Sequence, residues 1–568
     1  MIEINYIKIC LIKVIILIVI SQNLLGSVYD KKGITVIPYI LIEGKRIKIK
    51  EKEKSLIITE VKNALEMKRF FVNKLPDKIF SVFSEKLSAI NNPSIEVIKS
   101  HIKTYLVPEI FKILDAEKEI RAREFESETE KHSFIVLKAK EIGISADEII
   151  KVYNLSYIAL PYIRRFTVVK NSEENKVKVK ISGGIYWFQI SYYPDTSIKY
   201  LKKISSEGVG ISNLDKTYYI FGKKYSPYEF ALNTAVSSFA LNLQSITKNM
   251  ECFKLNIPIA EIEKRFVYLP LSKRDGLKED YPFLVGEWIE DEAGNTDIRY
   301  SGFIRIMKTS PNSSIPSKAL AIKKGDWAKG MLAVEYPYIG IDIAVKPRLT
   351  PININHGAVL TEDFLLIFGD YKGLYMAADI SFNLSISSYI HSFQSFLVAG
   401  VSGGLIPVKT LLYDDIHSVI LNWPEQKITA GLVEIHTGYL KRYYIGSLAV
   451  HFEVLSSFQR VYITNSYKGD DVYIYNNSIG FRLNSAIEYA MNINSNIGFF
   501  LGIDLFPPLN WWSVKYKGKE QDVENFFTYD YPKIYTAGIS CGIYYHFSVP
   551  QLIFNPFAII QSILNTKY

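Results

Sequence analysis

Cysteine is almost missing from this chain, with 3 among 568 residues. Cys10 lies in an N-terminal stretch expected to be removed, and Cys252 and Cys541 fall in different parts of the chain, so a disulfide framework is excluded, as is a CxxC metal pattern. No apolar run reaches the roughly 20 residues that a spanning helix needs. The eight histidines show no HExxH or paired ligand spacing. No P-loop or dinucleotide fingerprint occurs. The net charge of +9 is spread along the chain rather than clustered, which leaves no footprint for nucleic acid. Neither a cofactor nor a metal is expected.

Aromatic residues are abundant, with 39 Tyr and 32 Phe. The segment from Ile534 to Phe547 shows how they are used. Tyr535, Ala537, Ile539, Cys541, Ile543, Tyr545 and Phe547 alternate with Ile534, Thr536, Gly538, Ser540, Gly542, Tyr544 and His546. Successive strand side chains point to opposite faces, so one face is apolar and the other mostly small and polar. That is the pattern of a β-barrel strand with lipid outside and water inside.

The alternation recurs with charge on the hidden side. In Leu374 to Ser387, the outward set Leu374, Met376, Ala378, Ile380, Phe382 opposes Tyr375, Asp379, Ser381 and Asn383. In Ile479 to Met491, Phe481, Leu483, Ile487 and Tyr489 oppose Arg482, Asn484 and Glu488. Ile497 to Leu505 sets Asp504 against Ile503, and Ile339 to Lys346 sets Asp342 and Lys346 against Ile341, Ile343 and Val345. Leu448, Val450, Phe452 and Val454 oppose His451 and Glu453. A soluble sandwich accounts for any one segment. The strand lengths, at or above the roughly 9 to 11 residues that cross a tilted bilayer, favour a transmembrane barrel of about 8 to 12 strands.

The N-terminus carries Lys8 and Lys13 before the apolar run Val14 to Ile20, then Gly26 and Ser27. This reads as a signal peptide over residues 1–27; an uncleaved anchor would need a longer run. Residues 28–260 mix helix and strand signals. Helices are expected at Ser55 to Met67, Asp77 to Ile90, Ser94 to about His132, from the capping box Ser145 and Glu148 to Tyr153, and at Ser226 to Leu243 with Pro227 in the first turn. Strands are expected at Ile34 to Tyr39, Ser156 to Val169 and Val177 to Tyr193. The strand Ile34-Thr-Val-Ile-Pro38, the helix end Ala64 to Val72, Tyr157-Ile-Ala-Leu-Pro161, Gly183 to Ile190 and the helix Phe230 to Leu243 resemble the periplasmic domain of the curli-secretion lipoprotein superfamily. The lipobox cysteine of that family is absent.

Residues 261–336 read as a small β module. The turn Asp275-Gly276-Leu277-Lys278, the strands around Phe283 to Glu287 and Gly302 to Ile306, and Lys324-Gly-Asp326 resemble the SH3-like module of flagellar assembly protein T. The barrel is expected over residues 337–547, followed by a tail over 548–568 in which Phe557 to Leu564 has the spacing of an interfacial helix. The fold class is therefore multidomain: an α+β periplasmic domain, an SH3-like β module and an antiparallel transmembrane barrel.

One catalytic pattern occurs, Gly400-Val-Ser-Gly-Gly404. A nucleophile elbow needs a helix directly after the serine, and Pro407 lies where it would run. Gly400, Ser402 and Gly404 read instead as small inward positions of a barrel strand, and an enzyme is not expected. Asp342, Lys346, Asp379, Arg482, Glu488 and Asp504 are the candidate lumen-facing residues. They would line an aqueous pore or, as a small barrel favours, close on one another as a polar core. The expected location is the outer membrane, with the N-terminal domains in the periplasm. Membrane lipid and envelope proteins are the expected partners, with self-association of this chain open as well. By the resemblance, the role is assembly, secretion or tethering of an envelope structure; the alternative is a pore or transporter gated by the front domains.

Overall fold

The computed structural model describes residues 32–550, apart from 45–46, 74–76, 110–129, 131–132, 135–136, 138–154, 192–196, 221–222, 291–295, 313–314, 361–364, 414–425, 468–469, 507–509 and 522–532. The expected signal peptide, the helices at 145–153 and 557–564 and most of the charged run after Leu114 lie outside these residues.

The first unit is a sheet with helices on both faces. Lys32–Val36 lies parallel to Phe70–Asn73 and to Leu155–Asn171, which continues antiparallel through Lys176–Ser191 and Ser197–Asn213. The helices Glu51–Leu65 and Pro227–Lys248 cover one face, burying Ile57, Val61, Ala235 and Phe239 against Ile34, Val179 and Trp187. Asp77–Ser88 and Ile95–His101 cover the other, with Phe80, Phe83 and Ile98 against Ile158, Leu160 and Phe188. The first helix starts at Glu51, earlier than its apolar spacing from Ser55 suggests, because the charged turn Glu51 to Lys54 needs no apolar face. Ser226 caps the long helix with Glu229 completing the capping box and Pro227 following.

Ser197–Asn213 had no counterpart among the expected strands. After Ile204 its buried positions are Ser206, Gly208, Gly210 and Ser212, which are too small to read as an apolar face. They are small because the long helix lies directly on the strand backbone. A Cβ at Gly208 or Gly210 would run into the carbonyl oxygen of Ala235 or Ala231. Gly210→Val should therefore push helix and strand apart, at a cost of about 3 kcal/mol. Pulse proteolysis in urea should find the midpoint of this unit lowered, and an unchanged midpoint would show that the contact is slack.

The β module is one seven-stranded sheet that takes in Asn256–Pro258, upstream of residue 261, and ends at Leu332–Glu335. Gly276, at φ +86°, closes the expected turn. Val267, Leu269, Phe283, Ile304 and Ala319 form its core.

The C-terminal unit is a closed antiparallel barrel of eight strands. In chain order these are Ile341–Ile354, Tyr371–Ser385, Ser395–Tyr413, Gln426–Ile445, Leu448–Tyr467, Asp470–Ala490, Ser495–Leu505 and Ala537–Ser548. Each pairs with the next, and the last pairs with the first, Ile343 opposite Phe547 and Leu349 opposite Cys541. The segment from Ile534 to Phe547, read as one strand, is broken at Thr536, with Gly538 at φ +144° beside Pro351. Outward positions are apolar and exposed, as at Ile380, Phe382, Val401, Ile435, Phe452, Ile487 and Ile543. Exposed Tyr389, Tyr443, Tyr489 and Tyr545 mark one end, and Tyr462 and Trp511 the other. No helix among the described residues is long and apolar enough to cross a membrane.

Candidate functional site

Alternation sends every second side chain of the eight strands inward, and the sequence places charge at many of those positions. All six residues singled out from the pattern, Asp342, Lys346, Asp379, Arg482, Glu488 and Asp504, are at most 1% exposed. Arg348, Glu434, Arg442 and Glu453 are buried with them, as are His436, His451 and His546. The interior is built in three tiers.

Nearest the β module, Arg442 donates from Nε to Glu488 at 3.1 Å and from Nη1 to Gln394 at 3.1 Å, with Asp342 at 3.4 Å. His451 and His546 both meet Glu488, and Ser548 donates to Asp342 at 2.8 Å. In the middle, Lys346 Nζ lies 2.7 and 2.9 Å from the two oxygens of Glu453, which also accepts from Asn484 at 2.7 Å. Tyr544 fills the space between, its ring 4.5 Å from that of His451. In the third tier, Arg482 donates to Asp504 at 2.5 Å and to Glu434 at 2.6 Å, with Asp379 at 3.5 Å. Arg348 shares Glu434 at 2.7 Å and donates to Ser402 at 3.0 Å.

Beyond the third tier the interior turns apolar. Ile352, Ile354, Ile406, Leu432, Val461, Ile474 and Val514 pack together at the far end. At the near end, Phe303, Leu320 and Ile322 of the module press against Tyr444, Ala449, Ala490 and Ile493 of the barrel. The ionic interior is thus capped at both ends, one by its own strands and one by the module.

The joint with the module has its own buried polar pair. Arg305 donates from Nη1 to the Asp280 carbonyl at 3.2 Å and from Nη2 to the Ile493 carbonyl at 3.3 Å and to Ser548 Oγ at 3.1 Å. The Asp280 carboxylate accepts from Ser385 at 2.9 Å, from the Gln394 N–H at 2.8 Å and from Ser387. Burial lifts its carboxyl above the usual aspartate range, against the opposing pull of Ser387, Gln394 and Arg305. A second pair ties the first unit to the module: Arg69 grips Glu335 with both arms, Nη2 to Oε1 at 2.8 Å.

Ser402 lies on the strand Ser395–Tyr413, which runs on through Pro407 opposite Thr429. Strand rather than helix continues directly after it as far as Tyr413, so the geometry of a nucleophile elbow is absent there. Among the described residues, no group of three or more His, Cys, Asp and Glu side chains is placed to hold a metal ion.

Arg348, Glu434 and Arg442 were not among the candidates, and Glu453, which the alternation places on the inward face, was not singled out with the six. Arg348 was legible as the next inward position after Lys346, but Pro347 and Pro351 interrupt the outward apolar face there. Glu434 lies in the stretch 408–440, where the sequence alternation does not fix the register. The joint at Asp280 and Arg305 left no signal, because it depends on how two units dock.

No protein-family model and no curated protein matches the chain. Among solved structures, the neisserial surface protein A NspA shares 13% identity, covering 37% of this chain and 98% of its own, at a TM-score of 0.20. A major outer membrane protein from Thermus thermophilus shares 13%, covering 37% and 100%, at 0.21. The outer membrane protease OmpT from Escherichia coli shares 8%, covering 37% and 98%, at 0.20. Likenesses at these scores carry no argument about this chain.

Two variants test the site. Arg482→Met should leave Asp379, Glu434 and Asp504 facing one another, with a loss of about 3–5 kcal/mol. Urea titration of the folded band should detect this, and adding Asp379→Asn, which leaves Glu434 and Asp504 to Arg348, should restore part of it; no recovery would mean that packing rather than charge is at stake. Asp280→Ala should strand the Gln394 N–H and leave the Ser385 and Ser387 hydroxyls without their carboxylate acceptor. Limited proteolysis should then cut between residues 336 and 340 at least tenfold faster, with the barrel left intact; an unchanged rate would show that apolar contacts alone hold the joint.

Proposed function

We propose that this chain is an outer-membrane protein whose barrel serves as a solid anchor. The α+β unit and the β module hang beneath it in the periplasm and bind partner proteins for the assembly, secretion or tethering of an envelope structure. The observation that carries this reading is the filled interior: Lys346, Arg348, Arg442 and Arg482 are each paired with buried carboxylates. An eight-stranded barrel has room inside for side chains and little else.

The placement is supported by the apolar outer wall between two bands of exposed aromatic residues. The module lies at the end with the short connections 446–447 and 491–494, where the first strand also begins and the last ends. In outer-membrane barrels that end carries the short turns and faces the periplasm. The partner-binding role rests on the resemblance of residues 33–245 to the curli-secretion lipoprotein domain, and on how much of the chain lies below the barrel.

Two measurements test the reading. The full chain folded in vesicles should run faster on gels unheated than boiled, and planar bilayers containing it should stay silent. Stepwise single-channel currents from the heat-modifiable protein would overturn the anchor in favour of a pore. Absence of any heat-dependent shift would overturn the membrane reading itself.

A further inference from the structure

The side of the molecule where all three units meet concentrates cations. Lys68 comes from the first unit, Lys273, Lys278 and Lys308 from the module, and Lys441 from the outward face of the barrel strand Gln426–Ile445. A cavity of about 660 Å³ opens between Lys273, Lys308, Lys441, Met307, Phe393 and Tyr443. Glu279 is the one carboxylate on its wall among the described residues. It is buried, accepts from Thr309 at 2.6 Å and lies 3.7 Å from both Lys273 and His391. Glu335, close by, is taken by Arg69. The surplus of positive charge is felt locally: burial with Lys68 and Arg69 holds Lys278 below its ordinary value, and burial with Arg69 and Lys278 pushes Lys248 down to about 8.

The cavity is continuous with the apolar outer wall. Lys441 lies between Tyr439 and Tyr443 on the outward face, and its amine folds back toward the rim to donate to Ser392 at 2.7 Å, to the Phe393 carbonyl at 2.5 Å and to Ser395 at 3.1 Å, so it offers the pocket its charge more than a free N–H. A lysine whose stem lies along an apolar wall and whose head reaches the rim is snorkelling. Tyr443 is 53% exposed, Tyr389 81% and Met307 38%. The pocket thus offers ammonium groups at one end and apolar surface at the other.

We propose that this collar binds an anionic phospholipid of the leaflet nearest the module, its phosphodiester among Lys273, Lys308 and Lys441 and its acyl chains along Tyr443 and the wall beside it. The inference rests on the reading that the barrel spans a membrane. A free acidic peptide or nucleic acid would satisfy the lysines but leave the apolar half uncovered. A bound lipid would tie the first unit and the module to the membrane surface as well as to the barrel.

The test uses the full chain folded in zwitterionic detergent with equimolar phosphatidylglycerol and phosphatidylcholine, the retained lipid being counted by native mass spectrometry. The wild type should retain phosphatidylglycerol preferentially. The Lys273→Gln, Lys308→Gln double variant should lose that preference by about fivefold per lysine. Lys372→Gln, on the outward face at the opposite end of the barrel, should keep it. Equal retention of the two lipids, or an equal loss in the Lys372 variant, overturns the site while the gel shift of the same samples still reports a folded barrel. Displacement of the lipid by millimolar inorganic phosphate would assign the lysines to a free anion and overturn the lipid assignment. Absence of the gel shift in the wild type removes the membrane reading, and the inference falls with it.

Discussion

A closed sheet with an apolar outer wall must settle its polar residues inside, away from water, and this barrel settles them as ion pairs. Ten charged side chains, Asp342, Lys346, Arg348, Asp379, Glu434, Arg442, Glu453, Arg482, Glu488 and Asp504, are buried there. A buried charge without a partner costs several kcal/mol, so each must find an opposite charge within a few ångströms. Arg482 meets that demand for three carboxylates drawn from three other strands, and Lys346 for Glu453 on another. Arg482 and Asp504 link adjacent strands, while Lys346 with Glu453 and Arg348 with Glu434 join strands that are not neighbours, so the cylinder is braced from inside.

The same buried pairing joins the units. Arg69 with Glu335 fastens the first unit to the module, and two buried charges of the module fasten it to the rim of the barrel, Arg305 on Ile493 and Ser548 and Asp280 on Ser385 and Gln394. Interfaces between domains of one chain are by default mobile unless large or specifically tied. Here both joints carry a buried charge whose partners lie on the neighbouring unit, so a swing of either unit would expose or orphan it. The parts beneath the barrel are held in one orientation to it, which suits a scaffold that presents a surface.

The barrel was legible because its signal is local: a period of two with large apolar residues on one face survives in any single strand, as from Leu374 to Phe382. The identity of six inward charges followed from the same period. Which charge meets which did not, because Lys346 and Glu453 stand 107 residues apart and their meeting depends on strand number, tilt and register. Ser197–Asn213 was missed for the opposite reason: its buried face is written in glycine and serine, which fit a helix pressed on the backbone and mimic a loop in sequence. Pro347 and Pro351 hid Arg348 by breaking the outward apolar run. Docking contacts such as Arg305 with the Ile493 carbonyl belong to two units at once, and no pattern within either one encodes them.

The packing also bears on what the barrel can do. A conducting path would have to pass Arg442 with Glu488, then Lys346 with Glu453, then Arg482 with its three carboxylates, and finally the apolar plug of Ile352, Leu432 and Val461. Parting one buried pair leaves an uncompensated charge at about 3–5 kcal/mol, and three such tiers together, about 9–15 kcal/mol, fall in the upper part of the roughly 5–15 kcal/mol that holds a domain folded. Opening would therefore approach unfolding in free energy, and a ligand driving it would need a comparable difference in affinity between the closed and open forms. A module seated on the near rim would have to leave as well, breaking the contacts of Asp280 and Arg305. Physical work done by this chain is thus expected at its surfaces, above all at the rim where the three units and their lysines meet, and not through its centre.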